Sequence, residues 1–255
     1  MFNKKEYLQK GYFKIQNVIS NNQIKRFNND IDEICNNLSR HSNVEQDNNK
    51  FIKIFKNTTS RKYLYILLQD FRIIKQISAD IDKKLSEIGV YESLNFIAPS
   101  IKNALLISLP GETKYDNPLH QDIYNYHSKR FIKIWAPLTK VGNFEGSMQV
   151  FNASHKMGFI EPEYHNSPDY PEIDDNLLRG IDSEIMDFEA GPVVLFNPLI
   201  VHKSVINQSN KVRFVLGLDI QDIAAVPMSN DEDSLITRMA QISQERKHRR
   251  EKIKG

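Results

Sequence analysis

Two side chains with metal-binding chemistry stand two positions apart in the stretch 118–122. In an extended strand, residues i and i+2 point to the same face, so His120 and Asp122 would project together. An imidazole and a carboxylate at that spacing supply two ligands of a 2-His-1-carboxylate site, which leaves positions open on iron(II) for oxygen chemistry. Because a His-x-Asp pair also occurs often on exposed turns, the spacing alone leaves a surface pair as an alternative.

A third candidate ligand is His202, which follows an apolar run and a turn at Asn197-Pro198. Beyond it, Arg213 lies among apolar neighbours on a β-like run. A charge in an apolar setting needs a partner, and a guanidinium pairs in two-pronged fashion with a carboxylate. That carboxylate would belong either to a dicarboxylic cosubstrate or to an internal Asp or Glu, and the residues alone leave both open.

The elements that must position these side chains fall into two parts. Residues 1–92 show the spacing of helices that bury one face, with one helix after the cap Ser20-Asn21-Asn22-Gln23 and another near 60–87. Residues 93–222 consist of short β-rich runs between turns, which is typical of a sandwich or barrel. The predicted strands are 103–109, 130–135, 147–151, 192–196 and 213–219, and a further short strand is expected at 11–15. The second helix would bury the residues that are in step, which are Tyr63, Ile66, Leu67, Phe71, Ile74, Ile77, Ile81 and Leu85.

Two segments lie outside this pattern. Residues 156–190 lack a clear period and carry ten Asp or Glu against one Lys and one Arg. We interpret them as a long acidic insertion and as a candidate cover for the pocket. Residues 231–255 are expected to form a polar C-terminal helix. Since the sequence shows neither a repeat nor a linker, one domain over 1–255 is expected.

Composition excludes several classes of protein. The 34 Lys and Arg against 32 Asp and Glu give a net charge of +2, which argues against wholesale nucleic-acid binding. No apolar run reaches the ~18 residues of a membrane span, and the first residues lack the apolar core of a signal peptide. The single cysteine, Cys35, excludes an internal disulfide, so a reducing cytoplasm is expected. We interpret Lys129, Arg130 and Lys133 as a charged strand edge, with contact to an anionic substrate as the alternative.

Taken in order, these residues resemble the phytanoyl-CoA dioxygenase family of iron(II)- and 2-oxoglutarate-dependent oxygenases. The resemblance covers roughly residues 7–222 and is greatest over 103–220. The chain departs from the family pattern at Asn152-Ala153, where Pro-Gly is usual, and at Glu145, where Asn is usual. The matching motifs are Gly11-Tyr12-Phe13-Lys14-Ile15, His120-Gln121-Asp122, Ile134-Trp135-Ala136-Pro137-Leu138, Gly146-Ser147-Met148, Ser154-His155-Lys156, Gly191-Pro192-Val193-Val194-Leu195-Phe196, His202 with Ser204, Asn207-Gln208-Ser209 and Arg213.

The resemblance implies a fold and a site. The fold would be mainly β with flanking helices: a double-stranded β-helix, or jelly roll, with helices at the N-terminus and one at the C-terminus. The iron(II) ligands would be His120, Asp122 and His202. Arg213 and Ser204 would hold the far carboxylate of 2-oxoglutarate. Trp135 would flank this cosubstrate, although a lone tryptophan on an apolar strand is also typical of a core.

The reaction that the resemblance implies is hydroxylation of a small organic metabolite by O2, with release of succinate and CO2. The presence of Asp122, where related halogenases have a small residue, favours oxygenation over halogenation. Two alternatives stand beside this function. One is a jelly-roll metalloenzyme that does not use 2-oxoglutarate, and the other is a catalytically silent binding protein that kept the pocket. Neither the substrate nor the oligomeric state follows from the sequence.

Overall fold

The computed structural model describes residues 1–40, 49–113, 117–123, 126–163, 172–226, 241–242 and 244–245, with the side chains of 58–60 excepted. The strands are β1 (Tyr12–Ile15), β2 (Pro99–Ser108), β3 (Phe131–Pro137), β4 (Ser147–Phe151), β5 (Ser183–Ile185), β6 (Val193–Phe196), β7 (His202–Val205) and β8 (Arg213–Asp222). The helices are α1 (Lys4–Lys10), α2 (Asn21–Arg40), α3 (Lys50–Lys56), α4 (Thr58–Gln69), α5 (Arg72–Glu87) and α6 (Val90–Ser93).

The strands form two antiparallel sheets. The larger sheet has the order β1-β6-β3-β8-β2, and the smaller sheet has the order β5-β4-β7. The predicted strands match observed ones to within a few residues, and the predicted jelly-roll fold with N-terminal helices is confirmed. Sequential neighbours are rarely paired, so each sheet is assembled from distant parts of the chain.

Two apolar layers follow from the alternation of side chains along the strands. On β3, Ile132 and Ile134 face the helices, whereas Trp135 faces the smaller sheet. The layer between the two sheets also contains Tyr12, Val141, Met148, Val150, Met186, Val194, Phe196, Ile200 and Val215. The functional residues on the inner faces of the sheets therefore lie beside this second layer.

The first long helix begins where the sequence predicts. The backbone N–H of Ser20 donates to Oε1 of Gln23 at 2.9 Å, and the N–H of Gln23 donates to Oγ of Ser20 at 3.3 Å. This reciprocal pair is a capping box, which satisfies two amides at the start of α2. The helix then buries Phe27, Ile31 and Cys35 against the larger sheet, and Cys35 is a free thiol.

The prediction of a single helix near 60–87 is wrong in one respect. The structure has two helices there, because α4 ends at Gln69, Phe71 is extended (φ −61°, ψ 133°) and α5 begins at Arg72. The predicted buried face holds in α5, where Ile74, Ile77, Ile81 and Leu85 are fully buried. It fails in α4, where Tyr63, Ile66 and Leu67 are exposed and Leu68 is buried instead. The break changes the direction of the chain between α4 and α5, so a single helical spacing of apolar residues does not give the buried faces of both helices.

The two segments outside the strand pattern differ in what the structure describes. Within 156–190, β5 pairs with β4, and the 3-10 helix Asp175–Leu178 follows Ile173, which packs with Leu178 and Val201. Part of the predicted insertion is therefore sheet and core. Most of the predicted C-terminal helix 231–255 lies outside the described residues; residues 241, 242, 244 and 245 are helical. Among the described residues, no helix is long and apolar enough to cross a membrane.

We expect the two halves of the 60–87 stretch to differ in their contribution to stability. Ile77→Ala leaves a cavity in the main core and should lower the free energy of unfolding by about 2–5 kcal/mol. Leu67→Ala changes an exposed side chain in α4 and should stay within about 0.5 kcal/mol of the parent. Urea unfolding followed by circular dichroism measures both values. Comparable losses in the two variants would contradict this assignment of buried faces.

Candidate metal centre

The two histidines face each other across one backbone bridge. The N–H of His120 donates to the carbonyl of His202 at 3.0 Å, and the N–H of His202 donates to the carbonyl of His120 at 3.1 Å. This isolated antiparallel bridge brings their ring centroids to 4.2 Å. The expected strand at 120–122 is thus reduced to one bridged residue, yet His120 and Asp122 still project to the same place.

Asp122 completes the cluster from the bend that follows. Its backbone N–H donates to the carbonyl of Pro198 at 2.9 Å. Its Oδ1 lies 3.5 Å from Nε2 of His120, and its Oδ2 lies 3.6 Å from Nε2 of His202. One ligand atom from each residue lies within 4.8 Å of the others, which is close enough for all three to bind a single ion.

The hydrogen bonds of the two imidazoles fit them for a metal. Nδ1 of His120 lies 2.7 Å from the carbonyl of Pro118, and Nδ1 of His202 lies 3.1 Å from the carbonyl of Ile200. A carbonyl accepts only from N–H, so each Nδ1 is the protonated nitrogen and each Nε2 offers a lone pair towards Asp122. This is the arrangement by which proteins orient metal-binding histidines. Two imidazole nitrogens and one carboxylate therefore suit iron(II).

The electrostatics of the cluster favour the forms that bind a metal. Burial lowers the pKa of His202 to about 3, with a further contribution from His120. Burial alone would raise the pKa of Asp122, but the ammonium of Lys133 and the two imidazoles outweigh it and hold this pKa well below its usual range. At neutral pH the cluster therefore has a neutral His202 and an ionised Asp122, as metal ligation requires.

The sequence analysis missed a largely buried lysine that adjoins the cluster. Nζ of Lys133 lies 2.5 Å from Oδ1 of Asp219 and 3.4 Å from Oδ2 of Asp122. The interpretation of Lys133 as part of a charged strand edge is wrong, because β3 lies in the larger sheet between β6 and β8. The available signal was its alternation with Trp135, which predicts that both side chains share one face.

Gln121, between two candidate ligands, is fully buried and binds three backbone groups. Its side-chain amide donates to the carbonyls of Gly158 at 2.9 Å and Leu199 at 2.6 Å, and its Oε1 accepts from the N–H of Ile160 at 3.0 Å. These bonds connect the 120–122 segment to the turn before His202 and to the start of the acidic segment.

The predicted 2-oxoglutarate residues lie on the inner faces of the sheets. Arg213 begins β8, and its Nη1 donates to the carbonyls of Ser147 at 3.2 Å and Val205 at 3.4 Å. Ser204 precedes Val205 on β7 and stands two positions after His202, and its Oγ accepts from the N–H of Asn117 at 3.1 Å. Trp135 is 6 % exposed and packs in the apolar layer between the sheets.

Two of the recognised motifs position the candidate site indirectly. Oγ of Ser154 accepts from the N–H of Val201 at 2.8 Å and donates to the carbonyl of Phe151, which fixes the residue before His202. Gly146 has φ +79°, and a Cβ there would lie 2.9 Å from the backbone of Asn207. A side chain at Gly146 would therefore be strained and would collide with the loop that precedes β8.

Comparison with known proteins supplies the family. The family model for phytanoyl-CoA dioxygenase (PhyH) matches residues 7–215. The chain belongs to the phytanoyl-CoA dioxygenase family. It is similar to the peroxisomal phytanoyl-CoA dioxygenase of Bos taurus, with 25% identity over 234 residues, 86% of this chain and 67% of that protein. The chain thus spans about two thirds of the length of this relative, and it spans 64% of the human one.

Solved structures support the fold. EvdO2 from Micromonospora carbonacea var. aurantiaca, in complex with 2-oxoglutarate, superposes with a TM-score of 0.58 and 13% identity over 89% of this chain and 96% of that chain. SnoK, a non-heme alpha-ketoglutarate-dependent carbocyclase from nogalamycin biosynthesis, gives a TM-score of 0.52 and 17% identity over 87% of this chain and 84% of that chain.

Membership of the phytanoyl-CoA dioxygenase family confirms the predicted enzyme class, an iron(II)- and 2-oxoglutarate-dependent oxygenase. It also confirms the predicted cofactors iron(II) and 2-oxoglutarate, with O2 as the second cosubstrate. The roles of individual residues in this chain stay predictions.

The lowered pKa of His202 makes stability depend on pH in the chain without metal. The folded state keeps His202 neutral down to about pH 3, whereas the unfolded chain protonates it near 6.5. Since the unfolded state takes up the proton first, stability falls as the pH decreases below about 6.5. At about pH 5 this group should cost about 2 kcal/mol, or roughly 1.4 kcal/mol per pH unit.

Urea unfolding of the metal-free chain at about pH 7 and about pH 5 measures this cost, with His202→Gln as the variant that lacks the titrating ring. The parent should lose about 2 kcal/mol more than His202→Gln between the two pH values. The same loss in both chains would show that His202 is not held neutral by the fold.

Proposed function

We propose that the chain hydroxylates a small organic metabolite, using iron(II), 2-oxoglutarate and O2 and releasing succinate and CO2. The observation that carries this proposal is the convergence of His120, Asp122 and His202, with both Nε2 atoms turned towards one carboxylate. When bound, the iron and its keto-acid cosubstrate couple decarboxylation and O2 reduction to oxidation of a substrate C–H bond.

The ligands have distinct duties in this proposal. His120 and His202 would bind the metal through Nε2, while the carbonyls of Pro118 and Ile200 hold the opposite edges of the rings. Asp122 would bind as an ionised carboxylate, which balances part of the charge of the metal. Three protein ligands leave the remaining positions for the cosubstrates, which is the property that oxygen chemistry needs.

Arg213 and Ser204 would hold the far carboxylate of 2-oxoglutarate. The bonds from Arg213 to the carbonyls of Ser147 and Val205 fix its guanidinium where β4 and β7 pair, and Ser204 precedes Val205 on β7. A guanidinium in a fixed position pairs strongly with a planar carboxylate. Trp135, on the inner face of β3, would form an apolar wall beside this cosubstrate.

The acidic segment would exclude water from the pocket. Its first residues are tied to the site, because Gln121 binds the backbone of Gly158 and Ile160. Further on, the N–H of Ile173 donates to the carbonyl of Leu119 at 2.8 Å, beside His120. A covered site protects a strong oxidant from side reactions. Because β5 and core residues belong to this segment, its deletion would also remove structure.

The proposed cosubstrate role of Arg213 predicts a selective effect of Arg213→Gln. Loss of the charge-assisted bond, about 1.5–3 kcal/mol, should raise the KM for 2-oxoglutarate by about 10- to 100-fold. The affinity for iron(II) should change little, since the three proposed ligands are untouched. Arg72→Gln, at an exposed position on α5, is the matched control and should retain the parent KM.

Anaerobic titration with iron(II) and then with 2-oxoglutarate, followed by visible absorption, measures the binding of each. Succinate release over a panel of metabolites identifies the substrate. A parent chain without a charge-transfer band would contradict the proposed function. If the parent and the Arg213→Gln variant both turn over a substrate at rates that do not depend on added 2-oxoglutarate, the alternative of a metalloenzyme that does not use 2-oxoglutarate would be favoured.

A further inference from the structure

The ammonium of Lys133 lies on the inner face of the larger sheet, beside the proposed metal centre. Its side chain is 14% exposed, and its strand lies between β6 and β8. Gly217 on β8 lies beside it, since a Cβ there would be in van der Waals contact with Cε of Lys133 at 3.8 Å. A buried ammonium is costly unless carboxylates compensate it, so the position of Lys133 depends on its partners.

The partners of Lys133 form an ordered series. Asp219, its register partner on β8, is the nearer carboxylate at 2.5 Å, and Asp122 is the farther one at 3.4 Å. Asp219 also accepts a hydrogen bond from the hydroxyl of Tyr126 at 3.0 Å. The chain of contacts therefore runs from Tyr126 through Asp219 and Lys133 to Asp122, and it ends on a proposed metal ligand.

We propose that Lys133, anchored by Asp219, is a positioning residue that fixes the carboxylate of Asp122 for the metal. The ammonium, 3.4 Å from Oδ2 of Asp122, would hold the carboxylate with Oδ1 towards His120 and Oδ2 towards His202. This inference rests on the proposed function, since it requires that Asp122 bind the metal. It explains why a lysine is tolerated beside a cation: Asp219 cancels the charge of Lys133, so the pair adds none to the site.

The charge balance permits a test that separates position from charge. Lys133→Met combined with Asp219→Asn removes one positive and one negative charge, so the net charge around the metal stays the same. The double variant therefore removes the contact that holds Asp122 without changing the net charge. The affinity for a divalent metal should fall by about 10-fold or more, as is usual when the groups that orient ligands are removed.

The single variant Asp219→Asn should bind metal more weakly than the double variant. Asn keeps the oxygen that accepts from Tyr126 but loses the charge that balances Lys133. The uncompensated ammonium then repels the metal and competes for Asp122. Adding Lys133→Met should therefore restore part of the affinity. Lys83→Met combined with Glu87→Gln is the matched control for the double variant, because it also removes one positive and one negative charge, from an exposed ion pair on α5.

Anaerobic iron(II) titration and visible absorption of the cobalt(II) form give the dissociation constants, and the Tm without metal reports folding. A purely structural role would lower this Tm and leave the dissociation constants unchanged. A double variant whose dissociation constant for the metal is within about twofold of that of the parent would overturn this inference but not the proposed function. A parent chain that binds no metal would overturn the proposed function as well, and the two failures are thereby distinguished.

Discussion

The pair of backbone hydrogen bonds between His120 and His202 is the constraint on which the candidate site depends. Together with the bond from the N–H of Ser204 to the carbonyl of Asn117 at 2.9 Å, it joins β7 to the segment 117–122, and it sets the separation of the two imidazoles. Gln121 and Ser154 bind the backbone just before His202, at the carbonyl of Leu199 and the N–H of Val201. Buried polar groups with all partners in place are rigid, so the ligand atoms are held before any metal arrives.

Much of the site could be predicted because it depends on local spacing and ordered motifs. The separation of His120 and Asp122 by one residue was enough to aim both side chains together, even though a bend replaces the expected strand. Strand positions followed from apolar runs, since such runs are buried wherever the strands pair. The start of α2 followed from Ser20 and Gln23, which act within one turn.

The parts that could not be predicted depend on non-local pairing. Whether β3 is an edge or a central strand is decided by β6 and β8, which lie far along the chain, so the alternation of Lys133 with Trp135 indicates its face of the strand but not its burial. The exposure of Leu67 follows from the two-residue break between α4 and α5. The spacing of apolar residues along the sequence does not show how this break turns the chain. Both differences arise because tertiary packing overrides a local pattern.

The pairing of β1 with β6 places an early strand beside a late one: Tyr12 stands opposite Phe196. Contacts between such distant residues close large loops and form slowly. The larger sheet is therefore incomplete until the ribosome has released the chain well past residue 200, and only then does His202 meet His120. The proposed ligands therefore come together only once most of the chain has been made, so a metal could find all three of them only late in synthesis or after it.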